Sequence, residues 1–373
     1  MELRIETLNR ASLQGTGLSR VLPDDFEQSG NGSFDPDTLW YDAVWTGRSL
    51  ALICPTLDVI EDPLLEAGIY LDGVRARRVR IERQVGHDVL WIRSRKRPDR
   101  VETTLGGVTI GSAISDRRAD AVFEGRNTAV TLSNNNDLVW IEDWARYHVE
   151  KHGLEAVLFF DNGSDLYDLD TLADALKRGG VAATMIVSVP HPYGVHGYSD
   201  GQPYWRALNL QIAILNVARL RFLRRARAVL QCDVDELFWC ANGSIFDATR
   251  RHPLGFLHIG GQWCYPDDGA PSANGATMRH RDHYLRNSET EHCSAKFCIR
   301  PRGPLFFASW RVHSLSGLRQ PTVIKPTRAM GFWHFRQVST AWRDTKRMAF
   351  PEGLVEDPEL IQAMQLFQPE PDR

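Results

Sequence analysis

The sequence predicts an α/β chain with a doubly wound, mainly parallel sheet, preceded by a β-rich unit. Three observations predict it. From Leu39 to about Ile114, short runs with partial alternation ("SLALICPTL", "HDVLWIRS", "VTIGSAI") are punctuated by Gly, Pro, Asp and Lys/Arg clusters. From about Thr128 onward, apolar runs of strand length alternate with segments of helix length. Two of those apolar runs lead into acids, in "AVLFFD" and "AVLQCDVDELFW".

Taken in order, residues 1–35 are polar, end in "EQSGNGSFDPDT" and read as a loosely ordered lead-in. Residues 36–118 form the β-rich accessory unit, a small sandwich or barrel. "SDRRADAVFEGRN" is a connector into an α/β unit spanning 119–350. There "TAVTLS" is a strand. "NNNDLVWIEDWARYHVEKHG" is a helix that Asn136 or Asp137 can cap and Lys151 and Gly153 close. "AVLFF" is apolar throughout, so it is buried on both faces. "DLDTLADALKRGG" is a helix ending at Gly179, "VAATMIVSVP" a strand, and "YWRALNLQIAILNVARLRFLRRA" a long helix. Its basic end reads as a helix with a solvated face, because Leu220, Leu223 and Ala226 interleave with the arginines. Residues 351–373 read as a C-terminal tail.

The composition narrows the function classes. Of 373 residues 43% are apolar, enough for sizeable cores, and the net charge of -3 argues against a nucleic-acid partner. "MELRIETLNRASLQ" has no apolar core, so no secretory leader is expected, and no run approaches the roughly 20 residues of a membrane span. The six cysteines are scattered without a CxxC pattern and are expected to be reduced. The expected location is the cytoplasm, with peripheral association at the inner face of the membrane left open.

In doubly wound sheets, ligands bind beyond the carboxyl ends of the strands. Asp161 follows one buried strand, and Asp233 and Asp235 follow another. Along an extended chain Asp233 and Asp235 face the same way. Two carboxylates on one side suit a hard divalent cation such as Mg²⁺ or Mn²⁺, with open positions for phosphate oxygens. A strand-end acid pair that caps loop amides is the plainer reading.

With these residues in place, the chain resembles nucleotide-sugar-dependent glycosyltransferases of GT-A fold, more narrowly family 92 and the bacterial family-2-like enzymes of surface polysaccharide synthesis. The blocks that carry the resemblance occur in order between about Thr128 and Lys346. They are "NNNDLVWIEDWARYHVEKHGLEAVLFFDNGS", "CDVDELFW", "GGQWCYPDDG", "AKFCIRPRGPLFFASWRVHSL" and "GFWHFRQVSTAWRDTKR". The resemblance implies a hexosyltransferase-type reaction that moves a sugar from a nucleotide-sugar donor, expected to be UDP-linked, to a glycan or lipid-linked glycan. It implies a divalent metal, Mn²⁺ or Mg²⁺.

The resemblance also assigns roles. Asp235 is the first choice for direct metal ligation, with Asp233 on the ribose or bridging through water, and His313 as third ligand. A core histidine bonded to a main-chain carbonyl is the alternative for His313. Asp161 is expected on the base or ribose, with an Asx-turn to Gly163 and Ser164 as its alternative, and Ser133 on the same side. Lys296, Arg300, His334, Arg336 and Lys346 are cations suited to a diphosphate. Asp267, Asp268, Glu289 and Glu291 are candidates for the base that accepts the acceptor proton, Glu291 and Asp268 the choices. Trp263 is either a stacking platform for an acceptor sugar or a core tryptophan. Two rivals are a metal-dependent phosphoester hydrolase and a carbohydrate-binding protein with a degenerate transferase domain.

Overall fold

The structure is a computed structural model that describes residues 1–30, 32–207, 210–266, 278–287, 292–316, 323–338 and 351–367. It is an α/β fold around a large mixed sheet. The chain opens with β1 (Glu2–Thr7), then a β-rich stretch. There β2 (Asp42–Trp45), β3 (Ser49–Cys54), β4 (Val79–Arg83) and β5 (Asp88–Arg93) form an antiparallel sheet in the order β2-β3-β5-β4. β6 (Arg100–Leu105) and β7 (Val108–Ala113) belong to a second one. Leu39, Leu50, Leu52, Leu90, Val101 and Leu105 close a core in this stretch.

The α/β part runs β8 (Asn127–Ser133), α1 (Leu138–His152), β9 (Ala156–Asp161), α2 (Leu169–Arg178), β10 (Ala183–Ser188), α3 (Leu210–Val217), β11 (Ala228–Gln231), β12 (Glu236–Cys240) and α4 (Ile245–Arg251). It continues with β13 (Phe256–Pro266), β14 (His283–Asn287), β15 (His292–Ile299), β16 (Met330–Phe335), β17 (Leu354–Glu356) and α5 (Pro358–Met364). The main sheet has the order β1-β10-β9-β8-β11-β15-β13-β14-β17, with β16 joining β12 to β13. From β1 to β11 every pairing is parallel, whereas β15, β13, β14 and β17 pair antiparallel. The mainly parallel expectation therefore describes the half that bears β8, β9 and β10.

The apolar strands are buried on both faces. Val130, Leu158, Phe160, Met185 and Val187 enter one core, and Ala129, Val157, Phe159 and Ile186 enter the other. Helix ends follow local chemistry. Asp137 caps α1 by accepting from the Val139 amide, and Gly153 closes it in the left-handed region at φ 64°.

Several expectations change. The lead-in begins as an edge strand, because β1 pairs in parallel with β10 from Glu2 opposite Ala183 to Thr7 opposite Ser188. The C-terminal tail adds β17 to the sheet and buries Leu360, Met364 and Phe367. The long helix is shorter: α3 passes into a π-helical turn, Ala218–Phe222. Its basic end is solvated only in part: Arg224 and Arg227 are exposed, whereas Arg221 is buried against Asp42 (3.0 Å) and Glu6 (2.9 Å) and donates to the Thr7 carbonyl. The connector buries Val122 and Phe123 in the core that Tyr41, Val44, Ile53 and Val89 share with Phe160 and Leu210. The β-rich stretch and the α/β part are thus packed through common apolar contacts.

His148, His152 and His280 are among the histidines buried as neutral rings. His152 donates from Nε2 to the Phe238 carbonyl and accepts the Ile245 amide at Nδ1, so both nitrogens need the neutral tautomer. Burial lowers His148 to about 3, His280 to about 3 and His152 to about 4. The unfolded chain takes up these protons below about 6.5, and the folded chain only near 3–4. More protons bound to the unfolded state means that stability falls as pH drops from about 6.5, by about 1.4 kcal/mol per pH unit per histidine. The urea midpoint is expected to be lower at pH 5.5 than at pH 7.5. Equal midpoints would show that these rings ionise inside the fold.

Candidate functional site

The acids of "CDVDELFW" lie where β11 ends. Residues between β11 and β12 form a turn, closed by the Glu236 amide donating to the Asp233 carbonyl (3.2 Å). The same turn is clamped from the other side, as the Asp233 amide donates to Glu236 Oε2 at 2.9 Å. The alternation expected of an extended chain therefore fails here, and Asp233 and Asp235 acquire different partners. Asp233 Oδ2 accepts from Lys296 Nζ at 2.5 Å, and Asp235 Oδ2 lies 3.3 Å from His334 Nε2.

The strands explain these partners. β15 runs antiparallel to β11, with Gln231 opposite Phe297, so Lys296 comes level with the acid turn. β16 lies between β12 and β13, which sets Glu236, His334 and Trp263 side by side across three strands. Glu236 is fully buried, 3.2 Å from Lys296 Nζ, and its Oε1 lies 3.8 Å from His334 Nδ1. Burial pushes the Glu236 carboxyl well above the usual range despite Lys296. Burial also opposes the Lys296 ammonium, but Asp233 and Glu236 outweigh it and hold Lys296 charged. Asp233 is held below its usual value by Lys296, against the cost of burial.

Asp235, Glu236 and His334 each offer a ligand atom, and these atoms lie within 4.8 Å of one another. His313 was the expected third ligand. It donates from the ring toward the Ala295 carbonyl (3.0 Å), and among the described residues it does not join that set. It remains close enough to Asp233, His334 and Lys296 to feel their charge.

Asp161 and Ser133 end neighbouring parallel strands in register with Ser188. Asp161 Oδ2 accepts from the Gly163 and Ser164 amides, both at 3.1 Å, which is the Asx-turn alternative. Its Oδ1 is buried and has no hydrogen-bond partner among the described residues. Ser133 Oγ accepts from Asn136 Nδ2 at 2.8 Å.

Trp263 is already engaged. Its ring stacks on His334 at 3.9 Å between centroids, and the Arg336 guanidinium lies 3.6 Å from its centre. A sugar stacking there has to displace one of them, so the tryptophan reads as a support for His334 and Arg336. Arg300 departs most from expectation. β15 is antiparallel to β11, so it carries Lys296 at the acid end and Arg300 past Ile299 at the other, four extended residues or about 13 Å away. Glu291, Asp268, Asp267, Glu289 and Lys346 lie outside the described residues.

Two residues that hold the site were not singled out from the sequence. Glu236 was read within the acid motif without a role, although an acid at the resumption of an apolar run signals a buried carboxylate. His280 donates to the Val234 carbonyl at 3.0 Å and pins the turn from beneath. Only its place in "MRHRDH" marks it, and that is weak.

No family model matches the chain, and no curated protein matches it. Among solved structures, the chain is similar to the mannosyltransferase Ktr4p from S. cerevisiae, at 15% identity over 39% of this chain and 41% of that one, with a TM-score of 0.25. The same yeast protein in complex with GDP gives 13% identity, 41% and 44% coverage and a TM-score of 0.25. The match spans less than half of either chain, and at that TM-score it carries no inference about this one.

Proposed function

We propose that the chain is a metal-dependent glycosyltransferase that moves a sugar from a nucleoside-diphosphate sugar, UDP-linked in the first instance, to a glycan hydroxyl. One observation carries this reading. An acid turn with a buried lysine and an imidazole lies at the carboxyl edge of a parallel sheet, where the neighbouring strands end in Ser133 and in Asp161 with its unused Oδ1.

The residues fit a divalent ion. Glu236 Oε1 and His334 Nδ1 are buried without hydrogen-bond partners among the described residues. Asp233 and Asp235 against the Lys296 ammonium, with Glu236 buried beside it, leave an excess of negative charge among the described residues for a cation to balance. Asp235, Glu236 and His334 would hold it, and an imidazole in the set favours Mn²⁺ over Mg²⁺. Bound there, the ion would act as a Lewis acid toward the leaving diphosphate. Lys296 keeps its proton and fixes Asp233, leaving that acid oriented toward the ribose. Asp161 offers Oδ1 to a base or ribose donor. Arg336, held against Trp263, supplies a cation on the same side as His334. The base that accepts the acceptor proton is proposed among Glu291 and Asp268. A two-metal phosphoester hydrolase would need a second ligand group about 4 Å away, and among the described residues the one such group is Asp235, Glu236 and His334.

The test is a screen of UDP- and GDP-sugars for donor hydrolysis and transfer. Turnover is expected with Mn²⁺ and to be at least as high as with Mg²⁺. It is expected to vanish in excess EDTA and return with added Mn²⁺. Full turnover in EDTA would remove the metal from the account, and no turnover of any donor would remove the transferase.

A further inference from the structure

We infer that the edge of the main sheet opposite the acid turn carries a docking face for an anionic lipid surface. The face is built on the loop after β15. Leu305 and Ala308 enter the core, while Phe306 and Phe307 between them are 61% and 57% exposed. The loop is fixed by successive turns, with the Gly303 amide on the Arg300 carbonyl, Phe306 on Gly303 and Ala308 on Leu305. The two rings meet edge to face at 5.7 Å. A folded loop that turns two adjacent phenylalanines to solvent spends apolar area that nothing among the described residues covers.

Cations share the loop with the rings and extend from it to the end of α4. Gly303 lies against Arg300 and the Leu254 carbonyl, and Leu254 is itself exposed. Arg300 lines a cleft of about 280 Å³ with Asp247, Arg250 and Arg251. Arg250 pairs with Asp247 at 3.0 Å. Arg251, Arg300 and Arg302 have no carboxylate at ion-pair distance among the described residues, and Arg251 and Arg302 are exposed. Aromatic rings that enter an acyl boundary, beside guanidinium groups that reach lipid phosphates, are the chemistry of peripheral binding to an anionic bilayer. No helix among the described residues is long and apolar enough to cross a membrane, so binding of this kind would be by surface contact. Charge complementarity decides the occupant, since three guanidiniums on the rings' own loop and at the end of α4, with no carboxylate at ion-pair distance among the described residues, disfavour a purely apolar protein partner. The inference does not depend on the proposed reaction.

The test is flotation of the full chain with two sets of vesicles, pure phosphatidylcholine and phosphatidylcholine containing about one third phosphatidylglycerol. The protein is expected to bind the anionic vesicles only, and to be released by salt. Phe306→Ser combined with Phe307→Ser is expected to weaken binding at least about tenfold, and so is Arg251→Glu with Arg302→Glu. These side chains face solvent, so thermal melting should be unchanged. If the phenylalanine variant does not fold, the arginine variant decides. Absence of wild-type binding, or full binding by the folded variants, overturns the inference. So does a wild-type dimer that the phenylalanine changes split while no vesicle is bound, which would assign the face to self-association.

Discussion

Replacing Asp235 by alanine is expected to lower metal-dependent donor turnover by about 100- to 1,000-fold, the scale on which a single preorganised electrostatic group acts. The melting temperature is expected to stay within roughly 3 °C of wild type. Both halves follow from the same contacts. The Asp235 carboxylate has one hydrogen-bond partner among the described residues, His334 at 3.3 Å, and it lies beside the buried Glu236. Its loss therefore removes little packing and relieves a like charge. The turn itself is held by groups that remain, the Asp233 and Glu236 amides and His280 on the Val234 carbonyl. A variant that melts far below wild type would make the acid structural. One that melts normally with full turnover would remove it from the metal set.

The second large effect lies away from the site. Asp42→Ala is expected to destabilise the fold by about 3 kcal/mol, the lower end for breaking a buried ion pair. Asp42 is fully buried and its side chain meets Arg221, the Ser115 hydroxyl (2.7 Å) and the Asn9 amide (3.2 Å). It thereby ties together the segment after β1, the β-rich stretch and the π-helical turn. Arg221 would keep Glu6 and the Thr7 carbonyl, which limits the cost. For a chain of 373 residues a fall of roughly 4 °C in melting temperature is expected. Donor turnover per folded molecule should be unchanged, since none of these partners belongs to the acid turn. An unshifted melting curve would mean that water reaches Arg221 in the variant.

The parallel half of the fold was legible because β8, β9, β10 and β11 are apolar runs buried on both faces, and because Asp137 and Gly153 mark the ends of α1. The terminal segments were not. β1 is held by backbone pairing along β10, and its apolar Leu3 and Ile5 are 39% and 48% exposed, so its composition reads as surface. The position of the acids was legible from the strand they follow, whereas their partners were not. A period of two assumes extended backbone, and the turn between Asp233 and Glu236 breaks it. The place of Arg300 at the far end of β15 was hidden for a related reason. Nearness in sequence to Lys296 says nothing about which end of an antiparallel strand faces the site. His334 and Glu236 could be joined only through the β12–β16 register.

The most direct measurement is a Mn²⁺ titration followed by electron paramagnetic resonance, with and without UDP. The account predicts that the free-ion signal is lost on adding wild-type protein, more completely when the nucleotide is present, and persists with Asp235→Ala. Equal loss for wild type and Asp235→Ala would contradict it, as would a free-ion signal that wild-type protein and UDP together leave unchanged.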